Sequence, residues 1–248
     1  MYITLRDHNV YYQKLGEGKD LIMLHGWKQD VSTFHNVSEE LKKHFTLWLI
    51  DLPGFGRSEN PKQAFMVGDY AGIVTDFIKK NQLEKPHLLG HSVGGNIAIK
   101  LASENGELID KLVLESSSGI RPPKGVVRYL IYAGAKVFHY IIPNFLNIKD
   151  RIRHRFYWKL ESDYLNAGGL RNTLTNILNE DLSGSLSKIR NQTLLIWGER
   201  DGQVNIKYAK QMYRKIPNSK LEILEGTGHF PHTEKPGKFL YFILDFLS

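Results

Sequence analysis

The chain has 248 residues, with 33 Lys+Arg against 26 Asp+Glu, a net charge of +7 with neutral histidine. Its 42% hydrophobic content excludes disorder over most of its length and suffices for one large domain, or one domain plus an insertion. Cysteine is absent, which excludes a disulfide framework, a thiolate nucleophile and a Cys-ligated zinc site.

The N-terminus has no basic stretch leading into a long apolar run, so no signal peptide is expected. No run approaches the roughly 18 apolar residues of a membrane span. Val126 to Ile142 comes nearest, but Arg128, Lys136 and His139 interrupt it. The expectation is a protein that does not span a membrane and is cytoplasmic.

In chain order, Tyr2–Arg6 and Asn9–Leu15 read as a hairpin of strands, closed off by Gly16-Glu17-Gly18. Leu21–Leu24 is a continuous apolar run, as expected of a strand buried on both faces. A helical stretch near Val31–Lys43 precedes a second buried strand, Thr46–Ile50. Asp69–Lys80 carries Tyr70, Ile73, Val74, Phe77 and Ile78 at helical spacing. Pro86–Leu89 reads as a strand, Asn96–Ser103 as a helix and Leu112–Leu114 as a strand.

From about 120 to 185 no convincing strand appears. Alternation resumes with strand Thr193–Trp197, helix Ile206–Ile216, strand Leu221–Leu224 and helix Thr233–Leu247. Repeated strand–helix units predict an α/β fold with a mostly parallel central sheet flanked by helices. The expected division is a core over 1–119 and 186–248, with a helical cap inserted over 120–185.

The charge is concentrated in that insertion. Arg121 to Lys159 holds nine basic residues against Asp150 alone, a net +8, so the rest of the chain sums to −1. Arg151, Arg153 and Arg155 form its densest part, interleaved with aromatics. A solvated helix face would look like this. So would a patch for an acidic partner or anionic head groups. No nucleic-acid-binding motif accompanies it, so nucleic acid is not an expected partner.

The sharpest chemical signal is Gly90-His91-Ser92-Val93-Gly94, with a strand before it and a helix after it. A serine on so tight a turn exposes its hydroxyl, and glycines two residues away avoid the resulting clash. The following helix aims backbone N–H groups and a positive dipole end at the same spot. Serine is a weak nucleophile without a base, and the base needs an orienting acid. Asp201 and His229 each lie on a loop after a predicted strand, where functional groups of open α/β sheets collect. His232 is the local rival to His229. No histidine pair has the spacing and carboxylate company of a metal site, and no metal is expected. Gly54-Phe55-Gly56-Arg57-Ser58 lacks the Lys-[Ser/Thr] ending of a phosphate loop and reads as a turn, with Asp51 serving it.

Leu24-His25-Gly26-Trp27, Asp51 to Ser58, the Ser92 turn and the Asp201 and His229 loops together resemble the serine α/β-hydrolases of esterase and lipase type. The resemblance covers nearly the whole chain. It implies an α/β-hydrolase fold and a Ser92–His229–Asp201 triad, in the chain order of that fold. It also implies an oxyanion hole made by the backbone N–H groups of Trp27 and Val93. Glu115 competes for the acid role, because some lipases of the fold use that position. The implied activity is hydrolysis of small or medium acyl esters without a cofactor. Hydrolysis of carbon–carbon bonds, peracid formation, or a non-catalytic receptor on the same fold are the alternatives. A shorter resemblance, over Leu24–Trp27, Glu39–Leu47 and Asp51–Ser58, is to pimeloyl-acyl-carrier-protein methyl ester esterases. It implies an acidic carrier protein as partner of the basic cap. This chain departs from that family with Lys28 in place of glycine and His91 in place of tryptophan.

Overall fold

Among the described residues, eight strands form one sheet: β1 Tyr2–Leu5, β2 His8–Leu15, β3 Lys19–Leu24, β4 Phe45–Ile50, β5 His87–His91, β6 Leu112–Glu115, β7 Thr193–Gly198 and β8 Ser219–Leu224. The computed structural model describes residues 1–120 and 168–248. The strand order is β1-β2-β4-β3-β5-β6-β7-β8. β1–β2 and β2–β4 pair antiparallel. The pairs from β4 to β8 are parallel. Arg6 and Asp7 both have positive φ, 45° and 61°, which suits the tight turn of the β1–β2 hairpin.

The continuous apolar runs have a physical cause. Ile22 and Leu24 of β3 belong to one core cluster, with Val74 and Ile97. Leu21 and Met23, alternating with them, belong to the other, with Phe34, Phe239 and Ile243. Both faces of the strand are therefore covered, and no polar residue is tolerated between apolar ones.

The described helices are α1 His35–Leu41, α2 Val67–Lys80, α3 Val93–Asn105, α4 Arg171–Asn179, α5 Ile206–Lys215, α6 Pro231–Glu234 and α7 Pro236–Leu247. Three differ from expectation. Val31–Phe34 winds as a 3-10 turn before α1. α3 starts at Val93 rather than Asn96, immediately after Ser92. The expected terminal helix is two, because Pro236 lacks the N–H that would continue α6 and starts α7 instead.

Most of the expected cap, including Arg151, Arg153 and Arg155, lies outside the described residues. Its described end is attached to the core. Thr173 Oγ1 accepts the Phe65 N–H at 3.1 Å, and Glu180 accepts the Val67 N–H at 3.2 Å. Ile177, Leu182, Leu186 and Ile189 join the α2–α3 core cluster.

Candidate active site

The loops after β3, β5, β6, β7 and β8 meet at the carboxyl ends of the parallel strands. Ser92 sits between β5 and α3 with φ 53° and ψ −114°, a conformation costly for a residue with a Cβ. The turn is closed too tightly for side chains on either flank. A Cβ on Gly90 would lie 2.6 Å from the Gly95 nitrogen, and one on Gly94 would strike the Leu24 carbonyl. Val93, the first residue of α3, has an N–H with no acceptor inside the helix.

The loop after β3 runs against this turn. A Cβ built on Gly26 would lie 3.1 Å from Ser92 Cβ. His25 is buried and bonded at both ring nitrogens: Nδ1 to the Gly26 carbonyl at 2.7 Å, and Nε2 accepting the Leu52 N–H at 3.0 Å. Burial holds its pKa below the usual histidine value, so the neutral ring pins two loops together. Lys28 has φ 56°, the left-handed region that favours glycine. The Trp27 ring packs edge-on against Phe55 at 4.9 Å.

Asp201 and His229 are brought together. His229 Nδ1 lies 2.9 Å from Asp201 Oδ2. Oδ1 of the same carboxylate accepts the N–H groups of Gln203 and Val204, each at 2.8 Å. Burial alone would raise the Asp201 pKa; the His229 contact and the two backbone donors outweigh it and hold it below the usual value. An ionised Asp201 fixes the Nδ1–H tautomer of His229 and leaves Nε2 as an acceptor.

The His229 turn is held from both sides. Glu234 accepts the N–H of Gly228 at 2.7 Å and of Phe230 at 3.2 Å. His91 Nε2 donates to the His229 carbonyl at 2.9 Å, and the two rings lie 5.0 Å apart. Burial pushes the His91 pKa down to about 4. Glu234 was not expected in this role; His91 was expected only as a packing or hydrogen-bonding neighbour of Ser92. The only sequence signal for His91 was its place beside Ser92.

Glu115, the rival acid, faces elsewhere. Its carboxylate accepts His232 Nδ1–H at 2.8 and 2.9 Å and the His232 backbone N–H at 2.9 Å. Burial would raise its pKa, but the His232 ring beside it brings it below the usual value. The His232 pKa is raised: burial opposes this, and the Glu115 carboxylate outweighs it. The second ring nitrogen of His232, Nε2, is buried without a hydrogen-bond partner. His91, Glu115 and His232 are distant in sequence, yet each offers a donor atom within 4.8 Å of the others. These are groups that could hold a metal, but hydrogen bonds within the protein already engage all three residues.

Asp51 organises the neighbouring loops, accepting the Val31 N–H at 2.7 Å and the Arg57 N–H at 2.8 Å. A cavity of about 370 Å³ lies beside it, lined by Asp30, His35, Glu39 and Arg57 among others, and includes none of Ser92, Asp201 and His229. Among the described residues, no helix is long and apolar enough to cross a membrane.

A family model described as alpha/beta hydrolase fold matches residues 20–164. A pimeloyl-[acyl-carrier protein] methyl ester esterase of Aeromonas salmonicida is 28% identical, covering 97% of this chain and all of that protein. The uncharacterized hydrolase YugF of Bacillus subtilis is 27% identical over 99% of this chain and 96% of its own. Among solved structures, an enol-lactonase from Burkholderia xenovorans superposes with a TM-score of 0.79 at 19% identity, covering all of this chain and 99% of that one. A thermophilic esterase from Thermogutta terrifontis gives 0.77 at 20% identity, covering 100% and 97%. At such identities these two structures speak for the fold alone.

Proposed function

The chain belongs to the alpha/beta hydrolase fold family, and on that premise we propose that it is a serine hydrolase of carboxylic esters. The observation that carries the reading is the 2.9 Å contact of His229 Nδ1 with a buried Asp201, in the same loop cluster as a strained Ser92.

In this mechanism Ser92 Oγ attacks the ester carbonyl carbon while His229 Nε2 takes its proton. Asp201 holds the imidazole by Nδ1 and stabilises its charged form. The Trp27 and Val93 N–H groups receive the oxyanion, with roughly 3–4 kcal/mol expected for one such donor. Collapse of the tetrahedral adduct breaks the ester C–O bond, and His229 gives its proton to the leaving alkoxide. Water repeats the cycle on the acyl-enzyme, releasing the acid and restoring Ser92. No step requires a cofactor.

A narrower reading, cleavage of an acyl-carrier-protein methyl ester, is favoured by one observation. Relatives of that name match over nearly the full length of both chains. The net +8 segment would then receive the acidic carrier. Carbon–carbon bond hydrolysis and peracid formation use the same triad, and a receptor would use none of it. The test is burst release of p-nitrophenol from its acetate ester, for wild type and Ser92→Ala. A burst in the wild type alone supports the enzyme; equal release from both contradicts it.

A further inference from the structure

Glu115 touches both halves of the candidate site. It is the last residue of β6 and is fully buried. Its backbone carbonyl accepts the Ser92 N–H at 2.9 Å, the bond that seats the nucleophile turn on the neighbouring strand. Its carboxylate accepts the backbone N–H and Nδ1–H of His232, three residues after His229. His232 is fully buried too, and its ring lies 5.2 Å from that of His91, which holds the His229 carbonyl.

This placement is costly. A buried carboxylate is strongly disfavoured unless paired, and pairs of apolar residues usually serve a core as well or better. The other core positions of β6, Leu112, Val113 and Leu114, are apolar. What leucine could not supply at position 115 is an acceptor for the His232 backbone N–H, and with it a fixed tie between the His229 turn and the end of β6.

Resting on the serine-hydrolase reading above, we propose that Glu115 and His232 form a positioning pair that fixes the His229 turn against the end of β6, so that the base stands correctly over Ser92. Neither residue touches the reacting atoms. The pair acts through the main chain of 229–232, and His91 supplies the second hold.

The test compares Glu115→Gln, His232→Asn and the double variant Glu115→Leu/His232→Leu. It follows kcat and KM on p-nitrophenyl butyrate, the melting temperature, and the low-field proton resonance of His229 Nδ1–H. Glutamine keeps an acceptor for the His232 N–H, and asparagine keeps a donor near Nδ1. Each should lose less than about threefold in kcat, as only one of several bonds is weakened. The double variant leaves no buried charge unpaired but strands the buried His232 N–H, so it should melt only a few degrees below wild type. It should nevertheless lose about 10- to 100-fold in kcat with little change in KM, as misplacement of a catalytic group by about 1 Å does. Its low-field resonance should broaden or vanish.

A double variant with wild-type kcat and resonance would overturn the proposal, since filling the space would then suffice. Should that variant not fold, a loss beyond tenfold in folded Glu115→Gln or His232→Asn overturns it, and retention in both supports it. If the wild type cleaves no ester, the hydrolase reading fails by itself. The resonance then decides alone: its loss in the double variant supports the pair, and its survival contradicts it.

Discussion

His229 and Asp201 are joined by a 2.9 Å contact between Nδ1 and Oδ2, while Glu115, the rival for the acid role, spends both carboxylate oxygens on His232. Two buried His–carboxylate pairs thus stand side by side, and only one includes the residue expected to act as base. The division assigns different consequences to the loss of each carboxylate.

Asp201→Asn should lower kcat by about 10³–10⁴ with the fold intact, because the amide no longer stabilises the charged, correctly oriented imidazole. Glu115→Gln should cost less than about threefold. Steady-state kinetics on one p-nitrophenyl ester decide the matter. The reverse ranking would move the acid role to Glu115.

The Ser92 turn makes a stability prediction. Ser92 holds φ 53°, so removing its Cβ relieves strain that removing only its hydroxyl does not. Ser92→Gly should be more stable than Ser92→Ala by about 1–3 kcal/mol, with both inactive. Gly90→Ala should do the opposite and destabilise by at least about 2 kcal/mol, since its Cβ meets backbone that cannot step aside. Chemical denaturation of the three variants measures this directly.

Acid should weaken the fold. Burial holds the pKa of both His91 and His87 down to about 4 from 6.5, so the unfolded chain binds more protons between those values. Stability is therefore full at neutral pH and falls as pH drops from about 6.5 through 4. Asp201, also depressed, adds a loss of the same sign at lower pH. The His232–Glu115 pair has two signs. The raised His232 pKa gives stability that is lost only as pH rises. The depressed Glu115 pKa gives stability that is lost as pH falls through its folded value. Melting temperature against pH should show the acid slope. His87→Gln, distant from the site residues, should make it shallower between pH 4 and 6.5; an unchanged slope would contradict the assignment.

For the basic segment, charge reversal at Arg151, Arg153 and Arg155 should leave p-nitrophenyl butyrate hydrolysis within about threefold, because a neutral ester feels little of the field. The same variant should lose kcat/KM on an anionic or carrier-linked ester, and the loss should shrink with salt as the Debye length falls below about 8 Å. Equal losses on both substrates at every salt concentration would contradict a steering role.

Much of this architecture is legible in the sequence because it follows from local physics. Leu21–Leu24 reads as a doubly covered strand since each successive residue faces a different core. The Ser92 turn is legible because its glycines are a steric requirement. The start of α3 at Val93 is obscured by Gly94 and Gly95, whose low helix propensity is overridden by the packing of the turn. The Pro236 break was available in the sequence, but the apolar period runs across it. The Glu115–His232 pair was not legible: the partners are 117 residues apart, and the sheet order that seats β6 between β5 and β7 is what brings them together.

The most direct test of the central claim is covalent capture of the nucleophile. A fluorophosphonate ester should add one phosphonyl group to the intact protein, seen as a single mass increment, and peptide mapping should place it on Ser92. His229→Ala should react far more slowly, and Ser92→Ala not at all. Labelling elsewhere, or equal labelling of Ser92→Ala, would contradict the account.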